Sequence, residues 1–475
     1  MLDALREYAV GHLTFPFTSY LYNRRHIMSR YRRFVKSELY PEEALRDIQL
    51  KGLAQLIDYA ARYVPYYQRV FRDISLQPQD IKTLDDLKLI PPLSRQDVIE
   101  HSHDMVDTRF QSSISVADRS SKGPGEPLPF AIFRKHKLVR NTSSGSTGAP
   151  TMFYEDGSQT ALSWAHEMRL KSWYQVPALA KEARLVKVST VYKYDRVARF
   201  RNLLWNQLIL PGVNLGEKEY ELCFSQIMKH RPRVLWGFTP ALAGFAQYIE
   251  EARKPMLSYH PDLVVGWASP LYDHEARILK QVFRCAVSNI YGAREVGHVA
   301  GLCPSGTFHV NQENIVVETE SLPSVLGQAA GEMLVTTLHR TPMPFIRYRM
   351  GDLGEVGPSS CACGRKLQVV KNLLGRTGEI FIAKDGRMYS PNFWCRTFMS
   401  VEHAKNIRRF QVIYTKEQNL RILVQKGPGY TADTEKYIET MVNSNFSPDT
   451  ELELVYVPEI KAHLSGKYQM VFNET

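Results

Sequence analysis

The stretch LVVGWASPLYDHEARILKQVFRCAVSNIYGARE, residues 263–295, decides the fold class. Leu263-Val264-Val265 is a short apolar run bounded by turn residues. Asp273 to Phe283 then carries apolar residues at helical spacing, and Val287-Ser288-Asn289-Ile290-Tyr291 is a second apolar run. Strand, helix and strand in succession form one crossover unit, which layers helices on a parallel sheet. Upstream, the same alternation holds. Leu185-Val186-Lys187-Val188 and Val234-Leu235-Trp236 read as strands, and Thr239-Pro240 opens a helix through Glu250. The expectation is an α/β fold with layered sheets and helices and largely parallel strands.

Further upstream, residues 50–72 read as an amphipathic helix, with Leu53, Leu56, Ile57 and Ala60 on one face and Pro65 interrupting it. Residues 111–128, rich in Ser, Gly and Pro, read as a surface loop. Downstream of residue 375 the pattern changes. Ile380-Phe381-Ile382 and Arg387-Met388-Tyr389 flank Asp385-Gly386, a hairpin signal. Phe410 to Tyr414, Leu420 to Val424 and Leu452 to Val457 read as strands, and residues 431–445 as a helix. These make a small α+β unit. A large N-terminal domain of residues 1–375 and a small C-terminal domain of residues 376–475 are therefore expected, with the boundary near Gly375-Arg376.

In 475 residues, 44% are hydrophobic and 23% charged, which excludes disorder, collagen and coiled coil for most of the chain. No apolar stretch approaches the ~18 residues of a membrane span. The start, Met1-Leu2-Asp3-Ala4-Leu5-Arg6-Glu7, carries acids and lacks a signal-peptide apolar segment, so a cytoplasmic protein is expected. Lys plus Arg is 60 against 49 for Asp plus Glu, a net charge of +11 that suits a polyanionic small molecule. Arg24, Arg25, Arg30, Arg32, Arg33 and Lys36 cluster among Tyr22, Ile27, Tyr31 and Phe34. The cluster reads as a solvated helix face, with contact to an anionic membrane surface or to nucleic acid as the alternatives.

Four segments point to nucleotide chemistry. Asn141-Thr142-Ser143-Ser144-Gly145-Ser146-Thr147-Gly148-Ala149-Pro150 combines glycines with hydroxyls, a nest for polyphosphate oxygens; a flexible linker is the competing reading. No Walker A loop occurs. Tyr291-Gly292-Ala293-Arg294-Glu295 ends an apolar strand, where open α/β sheets bind ligands and where a carboxylate could hold Mg²⁺. Arg347-Tyr348-Arg349-Met350-Gly351-Asp352 reads as a short turn whose Asp could accept from a ribose diol. Leu464-Ser465-Gly466-Lys467 puts a cation on the small C-terminal unit.

Taken in order, these segments resemble those of the acyl-adenylate-forming enzymes, most closely the phenylacetate–CoA ligase-like branch, including relatives encoded in capsular-polysaccharide loci. Leu56-Ile57-Asp58-Tyr59-Ala60 with Val64-Pro65-Tyr66-Tyr67, Gly375-Arg376, and Cys361-Ala362-Cys363-Gly364-Arg365 are similar to further elements of that branch. The resemblance implies that Ser143, Ser144, Gly145, Ser146, Thr147 and Gly148 cradle the β- and γ-phosphates of ATP and that Glu295 holds Mg²⁺. It also implies that Ser269, Tyr291, Gly292 and Ala293 lie at the adenine, and that Asp352 binds the ribose beside Arg376. Lys467, on a mobile small domain, would reach the α-phosphate and the substrate carboxylate. Fixed positive charge is needed there because both reactants are anionic. The acyl pocket would lie near Trp236, Gly237, Phe238 and Gly292, and its aromatic walls suit an aromatic or flat acid.

Activation of a carboxylic acid by ATP, followed by thioester formation with coenzyme A, is the implied reaction. A carrier-protein, sugar, amine or hydroxyl acceptor stays open, as does a homodimer; nucleic acid is not expected as a partner, and membrane contact is at most peripheral. Ala149, Ser269 and Gly378-Glu379 depart from the family pattern, so a nucleotide-binding protein without turnover is the remaining alternative.

Six cysteines are too few for a disulfide scaffold. Cys303, His309, Cys361 and Cys363 form a candidate Cys₃His set for Zn²⁺, against the plainer reading of reduced, partly buried thiols. The resemblance favours a structural zinc. Cys223, Cys285 and Cys395 read as small core residues.

Overall fold

A computed structural model describes residues 10, 15, 26–114, 138–143, 151–187, 200, 202–213, 215–252, 254, 259–321, 330–384, 387–399, 406–446, 449–460 and 470–474. Among the described residues, the helices ahead of the main sheet include α1 (Ile27–Ser37), α2 (Glu42–Tyr63), α3 (Pro65–Asp73) and α4 (Arg95–His101). The amphipathic segment is thus two helices. Val64 is extended and Pro65 opens α3, because a proline cannot donate inside a helix but fits its first turn. In α1, Ile27 and Phe34 are buried while Arg32, Arg33 and Lys36 face solvent, a solvated helix face from which Arg30 departs, being half-buried and donating to the Ser158 carbonyl at 2.8 Å.

β1 (Val139–Thr142) and β2 (Met152–Glu155) pair as an antiparallel ribbon. α5 (Gly157–Trp173) follows, then β3 (Glu182–Val186), β4 (Gln207–Pro211), α6 (Glu217–His230), β5 (Val234–Phe238), α7 (Thr239–Glu251), β6 (Leu263–Trp267), α8 (Asp273–Phe283) and β7 (Ala286–Ala293). Next come β8 (Gly297–Leu302), β9 (Phe308–Val310), β10 (Ile315–Ser321), β11 (Gly331–Thr337), β12 (Tyr348–Gly357) and β13 (Val369–Arg376). These build an 11-stranded sheet in the order β10-β11-β12-β13-β9-β8-β7-β6-β5-β3-β4.

The α/β class is as expected, but the parallel character is confined to β4, β3, β5, β6 and β7. There the crossover helices enforce it. From β7 onward each strand returns across a turn or short link, and every pairing is antiparallel. The parallel half has two covered faces. Leu185, Leu235, Val264 and Val287 pack under α6, α7 and α8. Trp236, Val265 and Ile290 pack on the other face against Trp173 of α5.

The C-terminal residues carry a separate core. β14 (Phe381–Ile382) and β15 (Met388–Tyr389) form the expected hairpin, followed by α9 (Pro391–Phe398). β16 (Ile407–Tyr414), β17 (Leu420–Lys426), α10 (Ala432–Asn445), β18 (Leu452–Tyr456) and β19 (Val471–Asn473) complete a four-stranded sheet ordered β18-β17-β16-β19. Trp394, Phe398, Phe410, Ile422 and Ile438 fill this core. Among the described residues no helix is long and apolar enough to cross a membrane.

Candidate functional site

The C-terminal ends of β5, β6 and β7 open onto a cavity of about 320 Å³. Its floor is the Ser269-Pro270 turn after β6, together with Tyr291 and Gly292 of β7. Asp352 and Arg376 close one side, and Met399, Arg408, Phe410 and Met470 of the C-terminal unit close another. Of the residues expected at adenine and ribose, Ser269, Tyr291, Gly292, Asp352 and Arg376 share one wall system, although 107 positions separate Ser269 from Arg376 (376 − 269), and Ala293 does not line it.

The Ser269 turn is pinned from below. Asn289 Nδ2 donates to Thr239 Oγ1 (3.1 Å) and to the Ser269 carbonyl (3.2 Å). Neither Asn289 nor Thr239 was among the expected site residues. A buried amide inside the apolar run 287–291 was the available signal, since a buried polar group must find partners. Asp352 sits on a bulge rather than the expected turn. β11 pairs Leu334 with Arg349 but Glu332 with Leu353, so Met350, Gly351 and Asp352 oppose Met333 alone. The bulge projects the carboxylate toward Tyr291, whose hydroxyl donates to Asp352 Oδ2 at 2.9 Å. Burial and then the Asp352 charge push the Tyr291 phenol well above its usual range, so it remains a donor. Arg376, the ladder partner of Asp352, holds its Nε 3.7 Å from Oδ1.

Ala293 ends β7, and the buried Glu295 lies in the turn to β8. Arg294 Nη1 donates to the Thr142 carbonyl at 2.8 Å, tying this turn to β1. Immediately beyond β1, Ser143 N donates to the Thr151 carbonyl (2.9 Å) and Thr151 N to Ser143 Oγ (3.3 Å). Ser143 and Thr151 thus close the base of the Ser/Gly-rich stretch beside Glu295. Ser144, Gly145, Ser146, Thr147, Gly148 and Lys467 lie outside the described residues.

Of the residues expected near the acyl pocket, Gly292 lines the cavity and Trp236, Gly237 and Phe238 do not. Trp236 is fully buried and donates its indole N–H to Glu182 (2.9 Å). Its ring stacks on Trp267 at 5.7 Å, and Phe238 meets Trp267 edge-on at 6.5 Å. Gly237 faces the opposite side, where a Cβ would meet Leu185 and Leu242.

The cavity wall also holds two groups that went unread in the sequence, His274 and Glu275 at the start of α8. Glu275 accepts from Tyr272 N and is pushed up to about 8 by burial. His274 Nδ1 lies 3.5 Å from Cys395 Sγ, Arg277 Nη2 donates to the Met399 carbonyl (3.1 Å), and Arg408 pairs with Glu251 (2.7 Å). These three contacts dock the C-terminal unit on α7 and α8.

Beside β8 and β9, in the middle of the same sheet, Cys303, His309, Cys361 and Cys363 bring one ligand atom each within 4.8 Å of one another. His309 Nε2 lies 3.2 Å from Cys363 Sγ, while Nδ1 lies 3.2 Å from the Leu367 carbonyl. That arrangement leaves Nε2 to face the thiols, as a metal-ligating imidazole does. Burial pushes the His309 imidazole down to about 4, favouring the neutral, ligating form. Gly364 adopts φ +80°, closing a knuckle whose amide donates to the Cys361 carbonyl. The donor set and the tetrahedral-scale spacing fit Zn²⁺.

Comparison with known proteins is consistent with this geometry. Residues 381–474 match the family described as the CapK C-terminal domain. A phenylacetate-coenzyme A ligase of Thermus thermophilus is 24% identical over 377 residues, covering 74% of this chain and 75% of its own. Protein CapK of Staphylococcus aureus is 19% identical over 433 residues, covering 90% of this chain and 89% of its own. The crystal structure of a 2-hydroxyisobutyryl-CoA ligase in the postadenylation state has the same fold, with a TM-score of 0.69 at 17% identity, over 92% of this chain and 91% of that one. The resemblance to the phenylacetate–CoA ligase-like branch of the acyl-adenylate-forming enzymes thus holds in sequence and in fold.

Proposed function

We propose that this relative of the phenylacetate–CoA ligases is an AMP-forming ligase that activates a carboxylic acid with ATP through an acyl-adenylate and then forms a thioester with coenzyme A. The observation that carries the reading is the cavity itself. It gathers Ser269, Tyr291 and Gly292 at the ends of parallel strands, where open sheets bind nucleotides, with Asp352 and Arg376 of the antiparallel pair β12–β13. In this reading Asp352 takes the ribose hydroxyls, Arg376 stands beside it, and Tyr291, Gly292 and Ala293 border the base. Glu295 holds Mg²⁺ against phosphates cradled by Ser143 through Gly148. Zn²⁺ held by Cys303, His309, Cys361 and Cys363 would tie the β8–β9 link to the segment before β13 and take no part in the chemistry.

Residues 1–375 and 376–475 act as two bodies, and movement of the second delivers Lys467 to the α-phosphate. The attacking carboxylate oxygen bonds to the α-phosphorus as pyrophosphate leaves, and a thiol then displaces AMP. The Lys467 ammonium offsets the repulsion between the two anions in the first step. Losing one such preorganised group costs roughly 3 kcal/mol, about a hundredfold in rate. A second reading keeps the adenylation step and replaces coenzyme A with a carrier-protein arm or a sugar as the acceptor.

The test is acid-dependent exchange of pyrophosphate into ATP, screened over aryl, acyl and hydroxy acids with and without CoA. Exchange that falls about a hundredfold in Lys467→Ala supports the scheme. Full exchange in that variant removes Lys467 from it. ATP binding without exchange for any acid would overturn the enzyme reading. Exchange that proceeds without a CoA thioester product would select the second acceptor.

A further inference from the structure

Residues 141–150, which include the proposed phosphate cradle, carry no Lys, Arg or His of their own. They span the link from β1 to β2, and three arginines from separate elements meet the ribbon at its base. Arg95, the first residue of α4, donates from Nε to Thr151 Oγ1 at 3.0 Å. Arg294, in the β7–β8 turn, donates to the Thr142 carbonyl at 2.8 Å. Arg340, in the link between β11 and β12, is the third, and it differs from the other two.

The Arg340 side chain keeps only 2% of its exposure. Its guanidinium carbon lies 5.1 Å from the ring centre of Phe153 and 5.4 Å from that of Phe345. Its Nη2 stands 3.6 Å from Glu155 Oε2, too far for a hydrogen bond. Among the described residues, neither Nη2 nor Nε has a hydrogen-bond partner. Glu155 is itself engaged, since its Oε1 accepts from Asn141 Nδ2 at 2.5 Å. A guanidinium carries five N–H donors and stays charged when buried. Burying it with donors unpaired costs free energy, so native folds rarely leave such a group without a role. Burial pulls the Arg340 guanidinium down, and the carboxylates of Glu155, Glu295 and Asp156, in that order, push it back up. Three carboxylates thus gather beneath a stretch read as a polyphosphate cradle, where their repulsion of a triphosphate must be offset. Mg²⁺ on Glu295 covers part of that charge. A cation held away from water covers more, because its field is weakly screened.

We propose that Arg340 is a further positioning residue of the adenylation site, the buried cation that balances the carboxylates at the phosphate end and so lets the triphosphate of ATP settle beside Glu295. The inference rests on the adenylation reading above and adds to it a residue that lies on neither the Ser/Gly-rich stretch nor the C-terminal unit. Arg340 acts through the carboxylates and needs no contact with the nucleotide. The plainer role is to neutralise Glu155 alone. A guanidinium serving one carboxylate pairs with it bidentately at about 2.8 Å. Here the gap is 3.6 Å and Asn141 holds the carboxylate instead.

The test is nucleotide binding by titration calorimetry, with the thermal midpoint as the control for folding. Arg340→Gln leaves Glu155 without its counter-charge and is expected to lower the midpoint. The double variant Arg340→Gln/Glu155→Gln removes both charges, keeps an acceptor for Asn141, and is expected to recover it. In that folded double variant the affinity for Mg·ATP is expected to fall about tenfold, while the affinity for AMP, which lacks the two outer phosphates, stays within about twofold. Arg340→Lys keeps the charge and is expected to retain the preference for ATP over AMP; a loss there equal to that of the double variant overturns the argument from charge. An ATP affinity unchanged in the double variant overturns the inference and leaves Arg340 as the counter-ion of Glu155. Equal losses for ATP and AMP, or a midpoint that does not recover, assign Arg340 to the fold and overturn it as well. Acid-dependent pyrophosphate exchange, measured separately on the wild type, decides the adenylation reading without moving the ATP-to-AMP comparison. A wild type that binds neither nucleotide overturns both.

Discussion

Removing one oxygen from Tyr291 gives a sharp test of how the nucleotide is held. Its hydroxyl donates to Asp352 Oδ2 at 2.9 Å, while the Arg376 guanidinium stands back, its Nε 3.7 Å from Oδ1. Hydrogen bonds to charged groups contribute roughly 1.5–3 kcal/mol. The Asp352 side chain keeps 15% of its exposure, so water offsets part of the loss and the lower end of that range applies. Tyr291→Phe should therefore raise the KM for ATP about tenfold, with little change in kcat, since the ring that borders the base is retained. The second arm uses 2′,3′-dideoxy-ATP. If Asp352 receives the ribose hydroxyls and Tyr291 acts by aiming it, the substitution should matter far less for the dideoxy nucleotide than for ATP, giving a coupling of 1 kcal/mol or so. Initial-rate pyrophosphate exchange over an ATP series measures both. Equal losses with the two nucleotides would refute the reasoning, because they would place the damage in the fold or at the base and not at the sugar.

Gly292→Ala should destabilise the protein by about 1–3 kcal/mol, the range for overpacking, because a Cβ there would lie 2.2 Å from the Gly297 carbonyl oxygen; an unchanged thermal midpoint would show that the β7–β8 turn can open. Glu275 gives a pH signature. Its native value of about 8 lies above the 4.5 of an ordinary carboxyl, so its neutral form stabilises the fold at low pH, and that stability is lost as pH rises from about 4.5 to 8. The thermal midpoint should fall through that window in the wild type and flatten in Glu275→Gln, which can still accept from Tyr272 N; parallel profiles would remove Glu275 as the cause. Purified protein should carry one equivalent of zinc by elemental analysis, lost together with thermal stability in Cys363→Ser. A zinc-free wild type of equal stability would leave the four residues as plain thiols and an imidazole.

Much of the fold was legible because crossover helices impose one answer. The runs at 234, 263 and 287 and the helices between them could only pair in parallel. The antiparallel half was not, because pairing across β8 to β13 depends on which hairpin closes on which, and no local period records that. Asp352 was found on its motif but misplaced on a turn, since a bulge of Met350 to Asp352 inside β12 carries the same Gly-Asp signature. The buried cation at Arg340 was invisible for a different reason. Glu155 and Arg340 lie on separate elements, and in each local stretch a charged residue reads as ordinary surface. Only the fold brings them together, Nη2 and Oε2 3.6 Å apart.

That contrast bears on how the parts of the site are built. The residues proposed for the nucleotide are set by backbone features, the bulge under Asp352, the Ser269 turn and the β7–β8 corner, and backbone features leave motifs in sequence. The charge balance at Arg340 is set by side chains meeting across β2, the β7–β8 turn and the β11–β12 link, so it can change without disturbing any motif. In this chain the link buries a guanidinium with two nitrogens unpaired among the described residues, and a cation in that position is costly unless something anionic completes it.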